Sequence, residues 1–354
     1  MCRGRSERGR RDVVAGQTDR PVVALVLAGG TGSRLYPASR ADRPKQFLSL
    51  LGDDSLLSRT VSRARGVADD VFVSTRPAFA DEISEHAPDA EVVVEPAAKD
   101  TGPALVYATH RIRETVGDCV VVALPSDHTV GDSFAAVMRR GARVADETGS
   151  LVTFGVEPTR PDTGYGYIEP GESRGDYAPV SAFHEKPDAE TAHEYVEAGH
   201  YWNAGIFAWT PDALLAAARD SPLSDLVTDL TGGTDPERAF DGVAEVSIDY
   251  GVMERTEDAV VVPAPFEWDD LGSWDAFDRV VGGNANGTVS VGDVTVRELD
   301  AADNVVAGDD KHVSLVGVSD LAVVTWDDRV LVVPKERAQD VRTLVDELKR
   351  RGEF

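Results

Sequence analysis

A glycine loop, Leu27-Ala28-Gly29-Gly30-Thr31-Gly32-Ser33-Arg34-Leu35-Tyr36-Pro37, follows directly on the apolar run from Val22 to Ala28. Glycines in that position let backbone N–H groups approach phosphate oxygens closely. Two familiar phosphate loops are excluded. A dinucleotide fingerprint begun at Gly30 needs a third glycine at position 35, which is leucine, and a Walker loop needs Gly-Lys-Ser/Thr, which is absent. Pro37 also delays the helix that both motifs require. The loop carries Arg34 instead, and Lys45 follows within Pro44-Lys45-Gln46-Phe47. Two cations on one glycine loop suit a triphosphate. The plain alternative is a strand-to-helix turn.

Two acidic segments come next. In Leu124-Pro125-Ser126-Asp127-His128, Asp127 ends a strongly apolar run and so stands at the mouth of a sheet. A carboxylate there can hold Mg²⁺ together with substrate phosphates, or merely cap the next turn. In Phe266-Glu267-Trp268-Asp269-Asp270-Leu271-Gly272-Ser273-Trp274, two adjacent acids lie between tryptophans. They bind a cation or cap a helix starting near Gly272. Three further segments suit a sugar and its phosphate. Gly164-Tyr165-Gly166-Tyr167-Ile168 gives backbone access beside rings. Glu185-Lys186-Pro187 pairs a hydroxyl acceptor with a cation, and Tyr201-Trp202-Asn203-Ala204-Gly205 offers an amide near aromatic faces. Each alone is weak, because aromatic residues more often fill a core.

The elements that must position these residues follow from apolar periodicity. Strands are predicted at Val22–Ala28, Val71–Ser74, Glu91–Val94, Cys119–Leu124 and Leu151–Gly155, and helices at Ser55–Arg65, Thr101–Glu114 and Phe134–Glu147. Such alternation predicts a mostly parallel α/β sheet covered on both faces, with ligands beyond the carboxyl ends of its strands. After Gly282 short β segments follow one another, and a final helix is predicted from Glu336 to Arg350. The glycine- and asparagine-rich stretch Gly282–Gly287 marks a boundary. The expected division is therefore a disordered Arg-rich extension over 1–20, a catalytic domain over 21–283, and a small β domain with a terminal helix over 284–354.

Composition sets limits on partners. Asp and Glu number 62 against 36 Lys plus Arg, a formal charge of -26, and only six of the 36 are lysines. Such a surface repels nucleic acid and anionic membrane, so neither is expected as a partner. It also suits high salt, where screening relieves self-repulsion. Two cysteines, Cys2 and Cys119, allow no disulfide framework or zinc spacing and agree with a cytoplasmic setting. Arg10-Arg11 raises a secretion signal as a rival reading, but the apolar stretch that follows is short and ends in the glycine loop. The oligomeric state, a homo-oligomer included, stays open.

Taken in order, these motifs resemble the mannose-1-phosphate guanylyltransferase (GDP-mannose pyrophosphorylase) family of sugar nucleotidyltransferases. The resemblance runs from about Val22 to the C-terminus. It adds to the motifs above the Glu95-Pro96 to Thr101-Gly102-Pro103-Ala104 segment and Ser247-Ile248-Asp249-Tyr250-Gly251-Val252-Met253-Glu254. It implies a Rossmann-like, GT-A-like nucleotidyltransferase domain followed by a small left-handed β-helix domain. The implied reaction joins GTP and α-D-mannose 1-phosphate into GDP-mannose and pyrophosphate. The implied site has Asp127 and Asp270 as Mg²⁺ ligands and Arg34 and Lys45 on the nucleotide phosphates. Ala28, Gly29, Gly30 and Gly32 form the loop beneath them, and Gly166, Glu185, Lys186, Asn203 and Asp249 line the sugar-phosphate side. Alternatives are another hexose phosphate or nucleotide, or a non-catalytic sensor of sugar nucleotides. Three residues depart from the family pattern: Tyr36 for its usual Trp, Asp100 for Asn and Ala204 for Ser. With no cupin-like extension in this sequence, the bifunctional isomerase form is not expected.

Overall fold

The computed structural model describes residues 18–354. The expected extension over 1–20 therefore falls, up to residue 17, outside the described residues.

The first half alternates strands and helices: β1 (Val22–Leu27), α1 (Leu56–Arg65), β2 (Asp70–Thr75), α2 (Ala80–His86), β3 (Glu91–Val94), α3 (Thr101–Val116), β4 (Val120–Pro125), β5 (Thr129–Val130), α4 (Phe134–Thr148) and β6 (Leu151–Val156). Then come β7 (Tyr167–Pro170), β8 (Ala178–His184), α5 (Ala189–Glu197), β9 (Tyr201–Trp209), α6 (Pro211–Arg219), α7 (Ser224–Thr231), α8 (Pro236–Phe240), β10 (Ala259–Ala264), β11 (Trp268–Asp269) and α9 (Ala276–Val280). The chain closes with β12 (Val289–Leu299), β13 (Val305–Val316), β14 (Leu321–Trp326), β15 (Arg329–Pro334) and α10 (Val341–Arg351).

Nine strands form the main sheet in the order β3-β2-β1-β4-β9-β6-β10-β8-β7. The sequence predicts a mostly parallel sheet, and this holds only for the β3-β2-β1-β4 half and the β10–β6 pair. β9 runs antiparallel to both β4 and β6, and β8 runs antiparallel to β10 and β7, so the sheet is mixed. The cause is β9, whose first residues Tyr201–Gly205 the sequence marks only as an amide near aromatic faces and which opens a long central strand antiparallel to its neighbours.

Alternation along β1 and β4 builds two cores at once. Val22, Ala24, Val26, Val120, Val122 and Leu124 point into one, with α1 and α4. Val23, Leu25, Val121 and Ala123 point into the other, with α3, α6 and α7. That two-sided burial is why both strands read as unbroken apolar runs. Ser55 caps α1, its hydroxyl accepting from Ser58 N at 3.1 Å.

The C-terminal strands wind as a coil. Val289 pairs in parallel with Val305, and Val305 with Ala322, so successive turns lie 16 and 17 residues apart. Connections too short for a helical crossover leave a β-helix-like coil as the solution. Asp300, Asp303, Asp310, Asp320 and Asp327 take left-handed backbone angles within this coil, a conformation that Asp tolerates better than most residues. The predicted final helix splits into a 3-10 turn over Lys335–Asp340 and α10. Val289, Val305, Ala322, Val341 and Val345 share one apolar cluster with Leu35, Tyr36, Leu271, Trp274 and Phe277, so the coil packs against the loops that carry the site motifs.

Candidate active site

The motifs converge on a cavity of about 590 Å³ at the carboxyl ends of β1 and β4. Gly29, Gly30 and Thr31 form one wall. Gly32 takes φ 65°, and a Cβ there would meet the Lys45 side chain at 2.4 Å, so only glycine lets the loop close over Lys45. The buried amide of Gln46 donates to the Ala28 carbonyl at 2.9 Å, and Thr75 Oγ1 donates to the same oxygen at 3.1 Å. The Ala28 N–H donates to Ser74 O at 2.8 Å. The Ala28 backbone groups are thus engaged within the protein, where they hold the loop in place, and Ala28 is not among the residues that line the cavity.

Asp127 and Asp270 reach the cavity from segments far apart in sequence. A two-residue ribbon joins them: β5 pairs antiparallel with β11, setting Thr129 opposite Asp269. α1 supports the Asp127 loop from beneath, with Thr60 Oγ1 donating to Ser126 O at 3.1 Å and Arg63 donating to His128 O at 2.7 Å. Lys45 Nζ lies 2.7 Å from Asp127 Oδ2 and 3.4 Å from the Asp270 carbonyl oxygen. One ammonium therefore bridges the two acidic segments. The adjacent acids divide their roles. Asp269 Oδ2 turns away to Arg279 Nε at 2.8 Å. Asp270 lines the cavity, its Oδ1 accepting from Tyr165 OH at 3.1 Å and from Gly272 N at 3.0 Å.

Charge and burial compete here. Burial alone would lift the Asp127 carboxyl, but the Lys45 ammonium paired with it leads the opposing effects that hold Asp127 below the ordinary aspartate value. Burial pushes His128 down, toward the neutral imidazole. Trp268 Nε1 donates to His128 Nδ1 at 3.2 Å, which leaves the neutral ring's proton on Nε2, 3.8 Å from Asp127 Oδ1.

On the far side, Asn203 Nδ2 donates to Asp249 Oδ1 at 2.7 Å, and Asn203 Oδ1 accepts from Gly205 N at 3.0 Å. Asp249 opens a single π-helical turn, a form frequent at functional sites. Burial lifts its carboxyl, and the Asn203 bond offsets this only in part. Gly166 packs so closely that a Cβ would meet Glu185 Oε2 at 2.9 Å. Glu185 is ion-paired with Lys186, whose side chain is 60% exposed. Asp100, Lys186 and Leu271 are non-glycine residues at positive φ on or beside this cavity. Such strain persists where surrounding structure imposes it, and it clusters at functional sites.

Most expected residues thus meet around one cavity, but Arg34 does not. Its guanidinium donates to Gln339 Oε1 at 2.9 Å, on the C-terminal domain, and Gln339 Nε2 donates in turn to Ser273 Oγ at 2.8 Å. The cavity also holds residues that sequence reasoning does not assign: Gln46, Arg76, Glu95, Lys99, Tyr165 and His128. Glu95 is buried, with Ser74 Oγ donating to it at 2.8 Å; burial lifts its carboxyl and that bond opposes the shift. Lys99 carries a legible signal, since lysine is scarce in the chain. Two of the six lysines, Lys99 and Lys186, line this cavity, and a third, Lys45, pairs with Asp127 in its wall. Asp100 caps α3, its Oδ1 accepting from Thr101 N at 2.7 Å, at φ 69° and ψ -179°. A larger cleft of about 1440 Å³ opens on the other side of β11, against the coil, and meets Glu267, Trp268 and Asp269. Its arginine beside β11, Arg279, is already engaged by Asp269 and Asp275.

A mixed sheet with a glycine loop at one strand end and paired acids at its mouth defines a nucleotidyltransferase. Residues 23–282 match the nucleotidyl transferase family, and residues 294–348 match the mannose phosphate isomerase/GMP-like β-helix domain. The chain belongs to the nucleotidyl transferase family. Within it, the chain is 37% identical to mannose-1-phosphate guanylyltransferase of Escherichia coli (strain K12), over 93% of this chain and 73% of that protein. It is 35% identical to the alginate biosynthesis protein AlgA of Pseudomonas aeruginosa, over 94% and 73%. A crystal structure from Thermus thermophilus, described as mannose-1-phosphate geranyltransferase, superposes with a TM-score of 0.87 at 35% identity, covering 93% of this chain and 99% of that one.

Proposed function

We propose that this protein transfers GMP from GTP to α-D-mannose 1-phosphate, releasing pyrophosphate and GDP-mannose. The observation that carries the reading is the ribbon that sets Asp127 and Asp270 around Lys45, facing the Asn203–Asp249 pair across one cavity. Relatives named for this reaction over most of the chain's length supply the substrate pair.

The sugar phosphate oxygen attacks the α-phosphorus in line, and the bond from that phosphorus to the bridging oxygen of the β-phosphate breaks. The attacking phosphate is already anionic, so no general base is needed. Catalysis then rests on placement and on neutralising charge. Two carboxylates at the end of the sheet, one accepting only two internal hydrogen bonds and the other one ammonium, are a hard-oxygen donor set that fits Mg²⁺. When bound, Mg²⁺ would supply charge neutralisation on the triphosphate.

Lys45 is held between the Asp127 carboxylate and the Asp270 backbone carbonyl, in reach of phosphate oxygens, and Gly29 and Gly30 present backbone N–H groups beneath them. Asn203 donates its remaining amide hydrogen to a sugar hydroxyl and Glu185 accepts from another, with Asp249 orienting the Asn203 amide. Lys186, 60% exposed on its side chain, meets the sugar phosphate. Arg34 joins the phosphates only by leaving Gln339, so its role is conditional on that rotation. A panel of four nucleoside triphosphates against mannose, glucose and N-acetylglucosamine 1-phosphates tests the reading. GTP with mannose 1-phosphate should release pyrophosphate fastest. Release with no pair would leave the sensor reading in its place.

A further inference from the structure

Behind the sugar side of the cavity, three side chains that the proposed reaction does not use come together. β7 pairs with both β8 and β9, with Tyr167 opposite His184 and Ile168 opposite Tyr201. Continuing the second register sets His200 opposite Glu169. Tyr167 and Glu169 share a face of β7, so Glu169, His184 and His200 share it too. One ligand atom from each lies within 4.8 Å of the others.

We infer that Glu169, His184 and His200 form a binding site for a late first-row divalent cation such as Zn²⁺. Glu169 Oε2 lies 3.5 Å from His184 Nε2 and 3.9 Å from His200 Nε2. Ligands about 2.0–2.1 Å from a tetrahedral zinc stand about 3.4 Å apart, so the three atoms need only small shifts to close on an ion. His184 Nε2 is buried without a hydrogen-bond partner among the described residues, and so is His200 Nδ1, the other ring nitrogen from the Nε2 that lies near Glu169. Leaving such atoms unpaired costs stability, and an ion would remove that cost for the nitrogen it meets. His200 is 9% exposed, and its burial favours the uncharged ring that a metal requires.

The rings are also held in place. Tyr195 stacks on His184 with centroids 4.5 Å apart and on His200 at 4.7 Å. Two imidazoles with one carboxylate select zinc, nickel, cobalt or copper over magnesium and calcium. The Asp127–Asp270 pair, all oxygen, selects the reverse. Glu169 is 45% exposed on its side chain, which leaves a fourth position to water. An ion there would tie the end of β8, next to Glu185, to the start of β9, three residues before Asn203. The inference stands on the cluster itself and does not depend on the guanylyltransferase reading.

The test uses the full chain, stripped with chelator and dialysed, then titrated with Co²⁺ and back-titrated with Zn²⁺. One Co²⁺ per chain should bind with the intense visible absorption of a four-coordinate site, yield to Zn²⁺, and persist in millimolar Mg²⁺. His184→Gln and His200→Gln should each weaken binding by more than the roughly 10–100-fold lost with an outer-shell partner. Glu169→Gln lies toward the surface and keeps the shape of the side chain. It covers the case in which a histidine variant misfolds, and Zn²⁺ should raise the Tm of the wild type but not of this variant. Asp127→Asn should leave the cobalt spectrum unchanged. Absence of a stoichiometric cobalt spectrum, its survival in Glu169→Gln, or its loss in Asp127→Asn would each overturn the site.

Discussion

Replacing Lys45 by methionine separates its two roles. Methionine keeps much of the stem that packs against Gly32 and removes the ammonium that lies 2.7 Å from Asp127 Oδ2. The pair is shielded, with 13% and 21% of the two side chains exposed, so a charge-assisted bond worth about 1.5–3 kcal/mol is the expected loss of stability at neutral pH. The sign with pH follows from Asp127, whose carboxyl lies below its ordinary value of 3.8 in the folded protein. A depressed carboxyl stabilises the fold fully above that ordinary value, and the contribution is lost as pH falls below 3.8 through the folded value. In Lys45→Met burial acts on Asp127 without the ammonium and lifts its carboxyl, so the stability gap between wild type and variant should be full at neutral pH, begin to narrow above 3.8 as the variant's carboxyl takes up its proton, and close below it. Urea midpoints across that range measure it. Turnover should fall by about 10²–10³-fold, the usual cost of removing one group that stabilises developing charge. Because the variant frees Asp127, Mn²⁺ should bind more tightly to it than to the wild type in the absence of nucleotide. Near-native turnover, or a gap that does not narrow as pH falls through the acid range, would refute the placement of Lys45 against Asp127.

Asp249→Asn should leave Tm unchanged or higher, because burial makes the carboxylate costly, while raising the KM for mannose 1-phosphate; a large drop in Tm would show that Asp249 is structural. Lys186→Ala removes one charge-assisted contact of about 1.5–3 kcal/mol and should raise the KM for mannose 1-phosphate roughly ten-fold, moving that for GTP much less. Steady-state kinetics with each substrate varied in turn would show the opposite split if Lys186 met the nucleotide. With a formal charge of -26, thermal melts in increasing KCl should shift upward from low to molar salt as screening weakens self-repulsion, and a flat series would contradict the high-salt reading.

How much of this was legible depended on whether a residue's role is local. Strands such as β1 and β4 are buried on both faces, so their apolar runs carry their own signal. The direction of β9 does not: the sequence marks Tyr201–Gly205 only as an amide near aromatic faces, and its neighbours alone make it an antiparallel strand between β4 and β6. The long β12 and β13 read as short pieces because a bulge at Asp293 and charged outward residues interrupt them. At the site, motifs mark Asp127, Asn203 and Asp249, while residue types alone leave open which of Asp269 and Asp270 faces the cavity, and only the family resemblance singles out Asp270. The Arg279 pairing settles that for Asp269, and it lies ten residues away on another turn. Arg34 sits in the glycine loop by sequence, yet its partner Gln339 is 305 residues further on, and no local pattern reveals such a contact. Buried polar residues such as Gln46 and Glu95 look ordinary until the core closes around them.

The central claim is that Asp127 and Asp270 act as one unit at the phosphates, and a double-mutant cycle on GDP-mannose formation tests it most directly. Asn preserves the shape of either side chain and removes its charge. Asp127→Asn and Asp270→Asn should each lower kcat by at least about 100-fold at low Mg²⁺, with circular dichroism unchanged. The double mutant should be little worse than either single one, because the second loss acts on a site already without its ion. Near-native turnover in either single mutant, or losses that multiply in the double mutant, would contradict the account and return that residue to a capping role.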